Sequence, residues 1–153
     1  MFKKITNSEQ ETMNFAKILA SKLNTGDLIV LSGDLGSGKT KFTEGFLAFF
    51  GIESEVSSPT FTIVNEYTCQ NINIYHFDVY RLENPEDFLN IGGEEYFPKG
   101  ICIIEWGEKI SDFLPKEFLH ICFKRDYTNN TTRILNITSY GLKYENILKE
   151  VFN

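Results

Sequence analysis

Gly33-Asp34-Leu35-Gly36-Ser37-Gly38-Lys39-Thr40 is a glycine-rich stretch with the spacing of a phosphate-binding loop: a glycine, four residues and then Gly-Lys-Thr. The apolar run 27–32 before it has the length of a strand, and the run 39–50 after it carries phenylalanines at helical spacing. Glycines let such a loop turn its N–H groups towards phosphate oxygens, and the helix adds the positive end of its dipole. This order of elements predicts a nucleotide site rather than a turn with an incidental lysine.

The end of the loop predicts the cofactors. Lys39 is expected to reach the β- and γ-phosphates of a nucleoside triphosphate, and the Thr40 hydroxyl is expected to bind Mg²⁺. The sequence contains no Asn-Lys-x-Asp element of the kind that reads guanine. ATP is therefore favoured over GTP.

Two acidic residues follow predicted strands. Glu105 comes after the apolar run 101–104, and Asp78 comes after the run 74–77. In a sheet that binds a nucleotide at the carboxyl ends of its parallel strands, both side chains lie near the loop. An ATPase needs acids there, beside the metal and beside the attacking water. We expect both to be catalytic, the alternatives being a solvated acid at position 105 and an ordinary turn aspartate at position 78.

A predicted hairpin brings a threonine towards the same edge. Its strands are 60–67 and 72–77, joined by the short link 68–71. If the second strand is parallel to the strand before the loop, the first is antiparallel, and Thr60 then lies at the same edge as Asp78. Thr60 is either a residue that senses the γ-phosphate, as in a GTPase switch loop, or an ordinary edge-strand threonine.

The other segments contribute helices and a second hairpin. Ser8 to Glu11 has the form of a capping box, in which Glu11 reaches back to the Ser8 N–H. The helix that it opens includes Ile18 on its apolar side and ends near Asn24. Further expected elements are a helix beginning at Asn84, a hairpin of strands 119–123 and 133–140, and a last helix from about Leu142 to Phe152.

Strands alternate with helices along the chain, but two hairpins interrupt a purely parallel order. We therefore expect an α/β fold, a P-loop NTPase-like three-layer sandwich whose mixed central sheet contains antiparallel hairpins. The length of 153 residues suits a single domain, residues 1–153.

Composition narrows the classes of function. The net charge of −6 provides no global basic field for nucleic acid, so any RNA must be held by a partner or a local patch. Three widely spaced cysteines without a CxxC pair are typical of free thiols in a reducing compartment. The sequence shows no signal-peptide core and no apolar run of membrane-spanning length, so we expect a cytoplasmic protein that does not use a membrane.

Other polar residues give weaker signals. His76 alternates with apolar residues on a strand, as core histidines do, and His120 has no visible partner. Trp106 either packs near the nucleotide, serves an interface or fills the core. Arg81 is expected to fix the loop after Asp78 or to contribute to the phosphate site.

Four motifs occur in one order: residues 33–40, Ser58-Pro59-Thr60-Phe61, His76-Phe77-Asp78-Val79-Tyr80-Arg81-Leu82 and Ile104-Glu105-Trp106. Together they closely resemble the bacterial TsaE family of tRNA threonylcarbamoyladenosine biosynthesis proteins, which are small P-loop ATPases. The resemblance extends from Ser8 to about Arg133.

The resemblance implies the partners and the task. Homologues of TsaD and TsaB would make threonylcarbamoyladenosine at position 37 of tRNAs that read codons beginning with A. The ATPase would not transfer the carbamoyl group; its hydrolysis of ATP would reset or activate the partner complex. Contact with tRNA would be indirect, through that complex.

The resemblance also implies roles for residues. Thr40 and Glu105 would be linked to Mg²⁺, residues 36–41 would form the phosphate loop, and Asp78 would be an active-site acid. Glu9 and Arg133 would approach the nucleotide. The family usually has a second threonine where this chain has Lys41, and the segment after Trp106 gives no role to Glu108.

Two other classes remain open. A P-loop is also found in small-molecule kinases, although no arginine-rich lid follows the second strand and little chain is left for an acceptor pocket. A non-catalytic nucleotide-binding switch would bind partners without needing Glu105.

Overall fold

The computed structural model describes residues 1–34, 36–52 and 63–153. The described strands are β1 (Phe2–Thr6), β2 (Leu28–Gly33), β3 (Val64–Cys69), β4 (Ile72–Asp78), β5 (Ile101–Glu105), β6 (Phe118–Asp126) and β7 (Asn129–Tyr140). The described helices are α1 (Glu9–Ala20), α2 (Lys39–Phe49), α3 (Asp87–Asn90) and α4 (Leu142–Val151), with 3₁₀ segments at Gly93–Tyr96 and Gly107–Phe113.

The described strands form one mixed sheet of seven strands in the order β1-β7-β6-β2-β5-β4-β3. The central strands β6, β2, β5 and β4 are parallel to their neighbours in this group. The hairpin β3–β4 continues the sheet on one side, and β7 and β1 continue it on the other, all in antiparallel pairs. The prediction of a mixed α/β sheet with two hairpins is confirmed.

Alternate residues of β2 point to opposite faces of the sheet. Ile29 and Leu31 pack against apolar side chains of α1, α2 and α4. Leu28 and Val30 pack on the other side, against the region of α3 and the 3₁₀ segments. All residues of β5 are buried, as its continuous apolar run predicts for a strand covered on both faces.

The ends of several helices differ from the prediction. The Ser8 side chain accepts from the Glu11 N–H at 3.1 Å as expected, but the Glu11 carboxylate accepts from the Asn7 N–H at 2.6 Å rather than from Ser8. Helix α1 ends at Ala20 instead of near Asn24, and Ile18, predicted on its apolar side, is 49% exposed.

The helix predicted from Asn84 is a short one. Residues 84–86 form a turn, and α3 spans only Asp87–Asn90. The first strand, β1, was not predicted; it pairs with β7, with Phe2 opposite Ile137. None of the described helices is long and apolar enough to cross a membrane.

Candidate functional site

The phosphate-binding loop links the end of β2 to the start of α2. Gly33, Gly36 and Gly38 have positive φ angles of 128°, 74° and 108°, a conformation that favours glycine. A Cβ on Gly33 would lie 2.4 Å from the Phe123 carbonyl oxygen of β6. Gly38 precedes α2 and provides no side-chain cap, so the first N–H groups of the helix are available to an anion.

Lys39 lies at the base of this loop and is 5% exposed. Its Nζ donates to the carbonyl oxygens of Gly33 at 2.5 Å and Asp34 at 2.9 Å. It also lies 4.4 Å from the centroid of the Trp106 ring, within the range of a cation–π contact. Burial lowers the pKa of Lys39, while the surrounding acids, first of all Glu105, oppose that shift. The sequence left the place of Trp106 open; the ring packs against the loop lysine.

The predicted acids Asp78 and Glu105 lie beside each other at the carboxyl ends of β4 and β5, where they are paired in register. Burial raises the pKa of Asp78. The N–H of Tyr80, which donates to Asp78 Oδ1 at 3.0 Å, opposes this rise, and the nearby Glu105 adds to it. The two strand ends therefore bring two carboxyl groups to one edge of the sheet.

His76 contacts Glu105 directly. Its Nε2 lies 2.5 Å from Glu105 Oε2, and both side chains are buried. The sequence indicated a core histidine and gave no partner. The alternation of side chains along a strand places residues 76 and 78 on one face of β4. The contact with Glu105 also depends on the register of β4 against β5, which the sequence does not reveal.

Two basic residues lie near the outer side of the loop. Arg133 donates from Nη2 to the Gly36 carbonyl oxygen at 3.5 Å, and from Nη1 to the Asn130 carbonyl oxygen at 2.6 Å. A Cβ on Gly38 would lie 3.6 Å from Arg133 Cγ. Arg125, the register partner of Arg133, has its Nη1 3.8 Å from the position of a Cβ on Gly36.

Lys41, which stands where the TsaE family usually has a threonine, forms ion pairs with two acidic residues. Its Nζ lies 3.1 Å from Glu44 Oε2 and 3.8 Å from Glu9 Oε2. The hydrogen bond that Lys41 donates to Glu44 raises the pKa of Lys41. This pairing links the start of α1, which carries Glu9, to α2.

Glu108 belongs to the 3₁₀ segment after β5 and lies near the loop lysine. Burial raises the pKa of Glu108, and Lys39 and a hydrogen bond from Ser32 act against that rise. The Ser32 hydroxyl also lies 2.7 Å from His120 Nε2, and burial lowers the pKa of His120. The sequence assigned no role to Glu108 or His120, since neither belongs to a motif.

A cavity of about 610 Å³ lies beside the phosphate-binding loop. Predicted site residues line it together with neighbours from the start of α1 and the start of β7: Ser8, Glu9, Gln10, Thr12, Gly36, Ser37, Gly38, Lys39, Thr40, Lys41, Asp78, Glu105, Trp106, Asn130, Thr131 and Arg133. Gly33 and Asp34 are outside this lining and contribute carbonyl oxygens to Lys39 instead. Leu35 and Thr60 lie outside the described residues.

The cavity fits the predicted cofactors. A glycine loop, an uncapped helix start and a buried lysine are suited to a polyphosphate. Thr40 and Glu105, which line the same cavity, offer oxygen ligands of the type that Mg²⁺ prefers. In residues 1–34, 36–52 and 63–153, no group of three or more His, Cys, Asp or Glu forms a metal site. Mg²⁺, which usually takes one or two protein ligands together with phosphate oxygens and waters, matches such a donor set.

Comparison with known proteins identifies the family. The model of the family "Threonylcarbamoyl adenosine biosynthesis protein TsaE" matches residues 6–134. The tRNA threonylcarbamoyladenosine biosynthesis protein TsaE of Bacillus subtilis is 41% identical over 147 residues, which cover 95% of this chain and 90% of that protein. The protein of the same name in Haemophilus influenzae is 43% identical over 131 residues, which cover 84% and 81%.

A solved structure agrees with the sequence comparison. The crystal structure of YdiB from Bacillus subtilis has a TM-score of 0.84 to this chain at 38% identity, and the match covers 99% of this chain and 93% of that one. The resemblance seen in the four motifs is thus confirmed over nearly the whole chain. The chain belongs to the TsaE family.

Proposed function

We propose that this chain is a Mg²⁺-dependent ATPase and the accessory subunit of a TsaB–TsaD–TsaE complex. The complex is required for threonylcarbamoyl modification of adenosine 37 in tRNAs that read ANN codons. The observation that supports this proposal most is that Lys39, the start of α2 and the carboxyl groups of Asp78 and Glu105 line one cavity. We propose that residues 1–153 form a single domain with a P-loop NTPase-like three-layer fold.

In the proposed reaction, each group has a separate task. Lys39 and the N–H groups of the loop stabilise the negative charge that develops between the β- and γ-phosphates. Thr40 and Glu105 hold the metal, and bound Mg²⁺ supplies further neutralisation of phosphate charge. Asp78 or Glu105 orients the attacking water. Glu9 and Arg133, which line the cavity, contact the nucleotide.

Hydrolysis serves the partners in this proposal. ATP turnover resets or activates the TsaB–TsaD homologues between rounds and does not transfer the carbamoyl group. The net charge of −6 supports an indirect contact with tRNA, through the complex. Hydrolysis by the chain alone is weak, and partners raise it by closing the site or ordering its loops. Thr60 stays a prediction as the residue that senses the γ-phosphate.

The test is an ATPase assay of the purified chain with and without its own TsaB and TsaD homologues. The proposal predicts slow hydrolysis alone and faster hydrolysis in the complex, both lost in Lys39→Ala. Lys22→Ala is the matched control, because Lys22 makes a surface ion pair with Glu150 outside the cavity lining. Hydrolysis that ignores the partners and rises only with a phosphate-accepting metabolite would contradict the proposal and favour a small-molecule kinase.

A further inference from the structure

We propose that His76 is a positioning residue that holds Glu105 in the orientation required at the cavity. The inference rests on the proposed function, because it concerns the acid that the proposal assigns to the metal. His76 Nε2 and Glu105 Oε2 are 2.5 Å apart, and the two side chains are only 1% and 3% exposed. A hydrogen bond between two buried side chains restricts the rotation of the carboxyl group.

The geometry assigns the ring proton of His76. A carboxylate can only accept, so Nε2 must be the donor in this contact. His76 Nδ1 is buried and has no hydrogen-bond partner in the part of the chain that the structure describes. The contact with Glu105 therefore places a ring proton on Nε2.

The sheet register explains why this pair can act on the site. His76 is opposite Ile103 and Asp78 is opposite Glu105, so His76 and Glu105 are diagonal neighbours on one face of β4 and β5. The bond to His76 uses Oε2, and Oε1 is the oxygen available to the cavity that Glu105 lines. Hydrogen-bond partners that orient a metal-binding carboxylate in this way typically contribute about 10- to 100-fold to metal affinity or activity.

The chain contains its own control. It has only two histidines, and the second, His120, bonds to the Ser32 hydroxyl at 2.7 Å rather than to an acid. His120 lies on β6 between the inward positions Leu119 and Ile121, which face α1 and α2, so it belongs to the opposite face of the sheet from Glu105.

The first experiment is a long-range ¹H–¹⁵N spectrum of the ¹⁵N-labelled full chain without nucleotide. His76→Gln and His120→Gln assign the two rings. We expect the His76 ring to carry its proton on Nε2, and its signals to move in Glu105→Gln, where a neutral amide replaces the charged acceptor, while the His120 signals stay in place. An Nε2 of His76 without a proton, or His76 signals that do not respond to Glu105→Gln, would overturn the inference.

The second experiment separates positioning from packing. Glutamine places an amide N–H near the position of Nε2, whereas leucine fills the volume without a donor. We expect His76→Leu to raise the Mg²⁺ concentration for half-maximal ATP hydrolysis by the complex by about 10- to 100-fold, and His76→Gln to stay within about threefold of the parent. His120→Leu should leave this Mg²⁺ dependence unchanged.

Equal Mg²⁺ dependence of the parent and His76→Leu, or a loss in His76→Gln as large as in His76→Leu, would overturn the inference. If His76→Leu does not fold, the spectrum decides, because it uses the parent chain. The spectrum also separates this inference from the proposed function. If the His76 signals respond to Glu105→Gln but the chain has no ATPase activity, the contact is supported and the proposed function is refuted. If the chain is an active ATPase but the His76 signals do not respond, the proposed function is supported and the inference is refuted.

Discussion

Asp78 and Glu105 are register partners on the adjacent parallel strands β4 and β5, and both line the cavity next to the loop lysine. The charge on Glu105 adds to the rise in the pKa of Asp78 that burial causes. The charged form of Asp78 is therefore disfavoured at this edge, where a bound cation would favour it.

Glu105→Gln should abolish most of the ATP hydrolysis by the complex. The amide keeps the shape of the side chain and can still accept from His76, but it removes the negative charge proposed to hold Mg²⁺. We expect kcat to fall by about 10²- to 10⁴-fold, the range of a positioned catalytic acid or base, with nucleotide affinity in the absence of Mg²⁺ little changed. Steady-state ATPase assays and equilibrium binding measure the two quantities. Glu150→Gln, an exposed acid outside the cavity lining, is the control, and unchanged kcat in Glu105→Gln would remove Glu105 from the mechanism.

Asp78→Asn should stabilise the fold at neutral pH while it slows hydrolysis. Burial and then the neighbouring Glu105 raise the pKa of Asp78 above its ordinary value of 3.8. At pH values between 3.8 and the raised pKa of Asp78 in the folded chain, the folded chain binds more protons than the unfolded chain. The stability of the parent therefore falls as the pH rises through this window. Asparagine keeps the acceptor for the Tyr80 N–H without this loss.

The melting temperature of Asp78→Asn should therefore exceed that of the parent at about pH 7, and the difference should vanish below the ordinary aspartate pKa of 3.8. Thermal unfolding followed by circular dichroism over a pH series measures this difference. A variant less stable than the parent over the whole series would show that Asp78 stabilises the fold.

Gly45→Ala should destabilise the protein although alanine is the better helix former. A Cβ on Gly45, in the middle of α2, would lie 2.4 Å from the carbonyl oxygen of Met13 in α1. Helix propensity alone predicts a gain of about 1 kcal/mol, whereas overpacking predicts a loss of about 1–3 kcal/mol. Urea denaturation measures the free energy of unfolding. Ala48→Gly, one turn later in the same helix, calibrates the propensity, and a Gly45→Ala variant more stable than the parent would contradict the close approach of α1 and α2.

The fluorescence of Trp106 should report the engagement of phosphate. Trp106 is the only tryptophan in the chain. Its ring contacts the Lys39 ammonium and also packs against the ring of Tyr80, with 4.8 Å between the ring centroids. Because Lys39 is proposed to bind phosphates, ATP should change the emission in a saturable way, and adenosine, which lacks phosphates, should not. A titration with each compound checks this. Equal responses to ATP and adenosine would place the phosphates away from Lys39.

Local signals in the sequence were sufficient for much of this architecture. The loop, its flanking strand and helix, and the acids at the ends of β4 and β5 follow from short-range patterns and from the rule that parallel strands share their carboxyl edge. Strand β1 has two exposed lysines in five residues, which is common on edge strands and hides the apolar pattern. It was missed for that reason.

Contacts that depend on register or on close backbone approach were beyond the sequence. The partner of His76 is set by the alignment of β4 against β5, and that of His120 by the alignment of β6 against β2. No turn pattern in the sequence distinguishes Gly45. The need for a glycine there arises from the close packing of α1 against α2. The position of Arg133 against the loop could be inferred only from the resemblance to the family.

A crystal structure of the chain with Mg²⁺ and a non-hydrolysable ATP analogue tests the central claim most directly. The account predicts that the triphosphate lies within residues 33–40, with Lys39 on the β- and γ-phosphates, and that Thr40 and a Glu105 oxygen lie at the metal while His76 holds the other oxygen. A triphosphate bound elsewhere, or a Glu105 side chain turned away from the metal, would contradict it.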